Sequence, residues 1–262
     1  KMSVNESQVL FTNKMVGLNI RVQKNDKGWY RVKLGELNAF NSKGEYYLED
    51  GFMDVLTERN SYLSVANRLE SGLLEGEVTH PIREGHSDND WLSRNLIIDG
   101  ARTSHKIMSI ELVNTGKYEL GREIKEIWGW ILPSDLDVGR SLKADLDNPD
   151  VNVAFSIRCF SRVVSFQGRT ARIITKMITY DKIDIPGLKN SIKGGDREAI
   201  INSKSNITKE SGLTDFIVDS TMLKNLVHEL SNNVTTESAG IISTLEEIGQ
   251  SMSEKKDIFY SW

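Results

Sequence analysis

Val151-Asn152-Val153-Ala154-Phe155-Ser156-Ile157-Arg158 is the stretch on which the reading of this chain turns. Val153, Phe155 and Ile157 alternate with Ala154, Ser156 and Arg158, the pattern of a strand with one apolar and one polar face. Four other runs share the two-residue period: Gly28–Leu34, Lys106–Val113, Glu126–Leu132 and Arg172–Tyr180. Helices are expected at about 53–71 and 139–146, the second stopping before Asn148-Pro149 because proline cannot continue a helix. Successive strands with few helices predict an α+β fold with a curved, mostly antiparallel sheet or barrel.

Composition narrows the classes. The 262 residues carry 33 Lys and Arg against 37 Asp and Glu, a net charge of −4. A mildly acidic chain lacks the basic footprint of a general nucleic-acid binder, so no nucleic-acid partner is expected. The single cysteine, Cys159, excludes an intrachain disulfide framework and a cysteine-rich zinc site. No apolar run approaches the ~18 residues of a membrane span, and the N-terminal residues lack the apolar core of a signal peptide. An intracellular chain without membrane contact is the expectation.

All four prolines and 16 of the 20 aromatic residues lie at or before position 186. The remainder is too poor in large apolar groups to build a core of its own. A compact domain is therefore expected at 1–187 and a polar, partly helical tail at 188–262. Within the tail, Met222, Leu223, Leu226, Val227 and Leu230 recur at helical spacing, as do Ile241, Ile242, Leu245 and Ile248.

Three features carry candidate chemistry. His80 stands in Gly76-Glu77-Val78-Thr79-His80-Pro81, where Pro81 biases it toward an extended backbone and Gly76 permits a turn. Ser156 and Arg158 share a strand face, a hydroxyl beside a guanidinium. Asp181 and Asp184 close the last apolar strand in Tyr180-Asp181-Lys182-Ile183-Asp184-Ile185-Pro186. An acid there can orient a histidine as the third member of a triad does. Each feature also has an ordinary reading, as a loop histidine, a solvated strand face and a turn former. His80, His86, Asp88 and Asp90 are close in sequence but lack helical metal-ligand spacing, so no metal is expected.

Taken together, these segments resemble the prohead maturation proteases of tailed bacteriophages, a family related in fold to the herpesvirus assembly protease. The resemblance spans about 15–187. It begins at Asn41-Ser42-Lys43-Gly44-Glu45-Tyr46-Tyr47 and continues through Gly76-Glu77-Val78-Thr79-His80-Pro81, similar to the segment that carries the family's catalytic histidine. Gly129–Arg140 is similar to the family's strand and loop before a helix. Val153–Arg158 resembles the nucleophile motif Val-Gly-x-Ser-Ser-Arg-Gly, and Asp181–Pro186 the closing acidic motif. Ile157 replaces the family's second serine and Cys159 its glycine.

The resemblance implies a β-barrel flanked by helices and a serine endopeptidase that cleaves scaffold, capsid and other head proteins inside the immature head, in the host cytoplasm. It implies cleavage after glutamate, no cofactor, and a homo-oligomer. Ser156 would be the nucleophile, His80 the base and Asp181 the orienting acid, with Asp184 or His105 as alternatives. Arg158 and backbone N–H groups would meet the oxyanion. Arg83, Arg94, Arg102 and Arg162 are candidates to pair with a substrate carboxylate. Glu210, Glu237 and Glu247 are candidate self-cleavage positions in a tail expected to dock. The alternative function is a catalytically inactive structural or scaffolding component of the phage head.

Overall fold

The computed structural model describes residues 20–41, 43–184, 193–194, 216–232, 235–254 and 258–261. Two sheets form the frame. The first has the order β1-β2-β7-β6-β5 and the second β10-β11-β8-β9-β4-β3. Their strands are β1 (Gln23–Lys24), β2 (Tyr30–Leu37), β3 (Ala39–Phe40), β4 (Tyr46–Leu48), β5 (Glu75–Glu77), β6 (Thr103–Glu119), β7 (Arg122–Pro133), β8 (Ala154–Phe166), β9 (Arg169–Ile183), β10 (Phe216–Ile217) and β11 (Ile258–Ser261). All ladders are antiparallel except that between β4 and β9.

The five strands read from periodicity are present, and the long ones extend further than the alternation suggested. The reason lies in the turns. β6–β7 and β8–β9 are hairpins closed by the pairs Leu120–Gly121 and Gln167–Gly168, each with positive φ at both positions. Two-residue turns of that kind match strand twist and let pairing run to the tip.

The expected barrel is corrected: among the described residues the two sheets remain open. Between the ends of β5 and β9, ladder pairing among the described residues is limited to one isolated parallel bridge, from Val78 just past β5 to Lys182. Thr79, at φ 59°, turns the chain away immediately afterwards. Pro81 then offers no N–H with which to continue a ladder.

The helices are α1 (Phe52–Thr57), α2 (Val65–Glu70), α3 (Asp88–Leu96), α4 (Asp137–Asp147), α5 (Ser220–Ser231) and α6 (Thr236–Glu254). The single helix expected at 53–71 is two short ones. Glu58 accepts from Ser61 N–H at 2.8 Å and from the Ser61 hydroxyl at 2.7 Å, and Ser64 caps α2 by accepting from Asn67 N–H at 3.1 Å. These local bonds compete with helix continuation. Helix α3 occupies a segment for which periodicity predicts no helix. Ser87 caps it, Asp88 and Asp90 occupy its first turn, and Trp91, Leu92 and Leu96 are buried.

β8 divides two apolar clusters. Phe155, Ile157 and Cys159 enter the main core with Val32, Ile107, Ile131 and Tyr180. On its other face Phe160 joins Trp91 and Leu96 of α3, Leu223 and Leu226 of α5, and Ile241, Leu245 and Ile248 of α6. The apolar stripes of the tail helices are thus covered by the rest of the chain.

Candidate active site

Ser156 and Arg158 occupy the second face of β8, beyond which Phe160 meets the helices. Antiparallel register places Ser156 opposite Asp181 and Arg158 opposite Thr179 on β9. Directly opposed residues project to the same side of a sheet, so Ser156, Arg158 and Asp181 form one side-chain group. Ser156 is 8% exposed, and its hydroxyl makes no hydrogen bond to a described residue.

His80 arrives from the other sheet. Gly76 of β5 pairs with His105 of β6, and Thr79 N–H donates to Lys182 carbonyl at 2.7 Å. That contact sets His80 over the end of β9, where its Nδ1 lies 2.7 Å from Asp181 Oδ2. Gly76 serves close approach rather than a turn. A Cβ there would overlap the Tyr180 carbonyl and the His105 ring.

Asp181 is fully buried. Arg158 grips both its oxygens, Nε to Oδ2 at 2.9 Å and Nη2 to Oδ1 at 2.8 Å, and Glu77 N–H donates to Oδ1 at 2.9 Å. Burial alone would raise the carboxyl's pKa. The Arg158 charge, the His80 hydrogen bond and the Glu77 N–H outweigh it and hold Asp181 at about 2. An imidazole held by such a carboxylate keeps one tautomer, with Nδ1–H on the acid and Nε2 available as a base.

The guanidinium of Arg158 is wholly buried and directed inward, onto Asp181 and onto Glu77 Oε1 at 3.2 Å. Its Nη1 also meets the carbonyls of Asn95 and Ile97, at 3.4 and 3.3 Å. An oxyanion group must face the substrate, so this placement differs from the expected one. Asp184 is 77% exposed and pairs with Lys182 at 3.0 Å. His105 is fully buried, its Nδ1 2.9 Å from Ser104 Oγ. Burial pushes its pKa down to about 4, against the opposing pull of Asp181. Neither Asp184 nor His105 takes the place of Asp181 at the His80 Nδ1.

Glu77 stands in the histidine segment without a role that its sequence alone reveals. It is fully buried and receives Arg94 at 2.9 and 2.5 Å, Arg102 at 3.4 Å and Asp99 N–H at 2.9 Å. Its position three residues before His80 was the available signal. Arg94 and Arg102 are thereby engaged with Glu77, and Arg83 pairs with Asp88 at 2.5 Å. Arg162 lines a cavity of about 570 Å³ with Asp54, Glu58, Lys176 and Glu247, in whose wall His80, Ser156 and Asp181 have no part.

The histidines and acids of the 80–90 segment are drawn apart. Asp90 accepts from Ser87 Oγ at 2.6 Å, and the His86 ring lies 6.3 Å from that of Trp91. Glu237 and Glu247 both fall within α6, and Lys176 Nζ is 3.3 Å from Glu247. That helix is the one expected from the spacing of Ile241, Ile242, Leu245 and Ile248. Glu210 lies outside the described residues.

Comparison with curated proteins and with solved structures gives no match. The model of the Peptidase S80 family matches residues 6–248, crossing the boundary expected at 187/188. The chain therefore belongs to the Peptidase S80 family, and is a peptidase.

Proposed function

We propose that this peptidase is a serine endopeptidase of phage head maturation, cleaving scaffold, capsid and other head proteins after glutamate inside the prohead. Ser156 Oγ attacks the scissile carbonyl. His80 Nε2 takes the hydroxyl proton and returns it to the leaving amine; it then activates the water that releases the acyl-enzyme. Asp181 retains the Nδ1–H and stabilises the imidazolium. Backbone N–H groups near Ser156 serve the oxyanion.

The observation that carries this reading is the 2.7 Å contact of His80 Nδ1 with Asp181, with Ser156 directly opposite Asp181 on the next strand. The lack of a Ser156 hydroxyl bond among the described residues agrees with it, because nucleophile–base hydrogen bonds commonly tighten only when substrate binds. An inactive head component is the weaker reading. Holding a buried carboxylate ionised on a histidine is expensive, and a purely structural role does not require it.

Self-processing within α6 requires that helix first to undock and unwind, since a peptidase takes its substrate extended. The deciding experiment incubates the intact chain, and separately Ser156→Ala, with a head scaffold protein and reads intact masses. Fragments ending in glutamate, formed only by the wild type, support the proposal. No cleavage by either, or equal cleavage by both, overturns it.

A further inference from the structure

Glu77 and Arg158 are fully buried, and neither belongs to the Ser156–His80–Asp181 group. Burying two more ions beside Asp181 is costly unless each is paired, and an apolar pair of the same volume is often no less stable. Their geometry points to another use. Glu77 touches Asp181 by two routes. Its own N–H donates to Oδ1 at 2.9 Å, and its carboxylate lies 3.2 Å from Arg158 Nη2, which itself donates to Oδ1 at 2.8 Å. Arg158 Nε completes the grip on Oδ2 at 2.9 Å, the oxygen that His80 also uses. A guanidinium fork matches both carboxylate oxygens at once and so defines the carboxylate plane as well as its place. Glu77 precedes His80 by three residues, so the ring and its acid share one reference point.

We propose that Glu77 and Arg158 are positioning residues that fix the plane of the Asp181 carboxylate against His80 Nδ1, and that Arg158 does not contact the substrate oxyanion. This rests on the triad reading above. The charges around the pair come from four sides. Asp181 lies on β9, Arg94 on α3 and Arg102 before β6, and Arg158 also acts on Arg68 of α2. The fork is therefore held in a field that its removal would change.

The test uses the full chain carrying Ser156→Ala, which prevents self-digestion, and needs no substrate. Proton–nitrogen NMR reads the low-field Nδ1–H resonance of His80, with the Ser156→Ala, His80→Ala double variant assigning it. With Arg158→Gln the resonance should move upfield or broaden away, while circular dichroism keeps its native form. Arg158→Lys keeps the charge but loses the fork, and should give an intermediate resonance. Glu77→Gln keeps the backbone donor and should give a smaller shift than Arg158→Gln. In chains with Ser156 intact, Arg158→Gln should lower kcat roughly 10²-fold, the scale of a ~1 Å misplacement, with KM little changed. A folded Arg158→Gln with an unmoved resonance overturns the proposal, and with a large fall in kcat it restores the oxyanion role. If Arg158→Gln does not fold, Arg158→Lys decides alone, an unmoved resonance again overturning it. Loss of the resonance in a chain that cuts no peptide supports the positioning and refutes the peptidase mechanism, so the two failures are distinct.

Discussion

Ser156 and Asp181 are direct cross-strand partners on β8 and β9, their side chains on one face of the sheet. Asp181 also binds His80 from the other sheet, at 2.7 Å. One carboxylate thus faces a serine on the neighbouring strand and holds an imidazole that comes from the other sheet.

Ser156→Ala should remove roughly 10⁴–10⁶ of the peptidase rate, and His80→Ala a similar factor, without the losses adding. The Ser156 hydroxyl has no described partner, so the melting temperature of Ser156→Ala should stay close to wild type. Peptide cleavage rates and thermal melts check both. A fully active Ser156→Ala would move the nucleophile elsewhere. Cys159 is sealed in the main core, and Ser161 Oγ accepts from Arg172 at 3.3 Å.

Asp181→Asn should lower kcat about 10⁴-fold through loss of the correct tautomer. It should also cost about 3–5 kcal/mol of stability, because Arg158 is left buried without that counter-charge. Asp184→Asn, at an exposed site whose partner among the described residues is Lys182, should change neither by much. Denaturant melts beside rate measurements separate the two effects.

Acid should weaken the fold in two stages. His105 is held at about 4 by burial, below the ~6.5 of a free histidine. Between these values the unfolded chain binds more protons, so stability falls as pH drops from 6.5 to 4, by on the order of 3 kcal/mol. Asp181, held at about 2, lies below the ~3.9 of a free aspartate. Its stabilisation is complete above pH 4 and is lost as pH falls through 2, by about 2 kcal/mol. Urea melts from pH 7 to 3 should show the first stage in wild type and a flatter profile in His105→Gln.

Gly76→Ala should inactivate and destabilise together. The added methyl would collide with the Tyr180 carbonyl and the His105 ring, and relief requires β5 to move off β9. His80 moves with it. The check is an activity assay with hydrogen exchange at Thr79 N–H, whose bond to Lys182 should open.

Docking of the tail should depend on packing more than on charge. Leu245 is fully buried in the cluster shared with α3 and β8, so Leu245→Ala should weaken protection of α5 and α6 by about 2–5 kcal/mol. Glu247→Gln removes only the partly exposed contact with Lys176 and should cost under about 1 kcal/mol. Hydrogen exchange of the two helices distinguishes them.

The misreadings share a cause. Alternation found the five long strands because one face of each is apolar. It missed β5 and α3, whose roles come from neighbours: β5 pairs with β6 and leads into the contact with β9, while α3 closes over Phe160 and Ile178. Strand parity places Arg158 beside Ser156. Parity says nothing of where a long side chain ends, and a buried carboxylate on the next strand claimed it.

The sequence by itself determined the strand periods, the α+β class, the amphipathic stripes of the tail and the residue types able to do triad chemistry. These depend on neighbours a few positions apart. Only the tertiary structure decided that the sheets stay open, that Asp181 rather than Asp184 meets His80, and that Glu77 and Arg158 surround it. Those contacts join residues far apart in the chain. They are selected by burial, because an ion removed from water must take whatever partner the fold brings within reach.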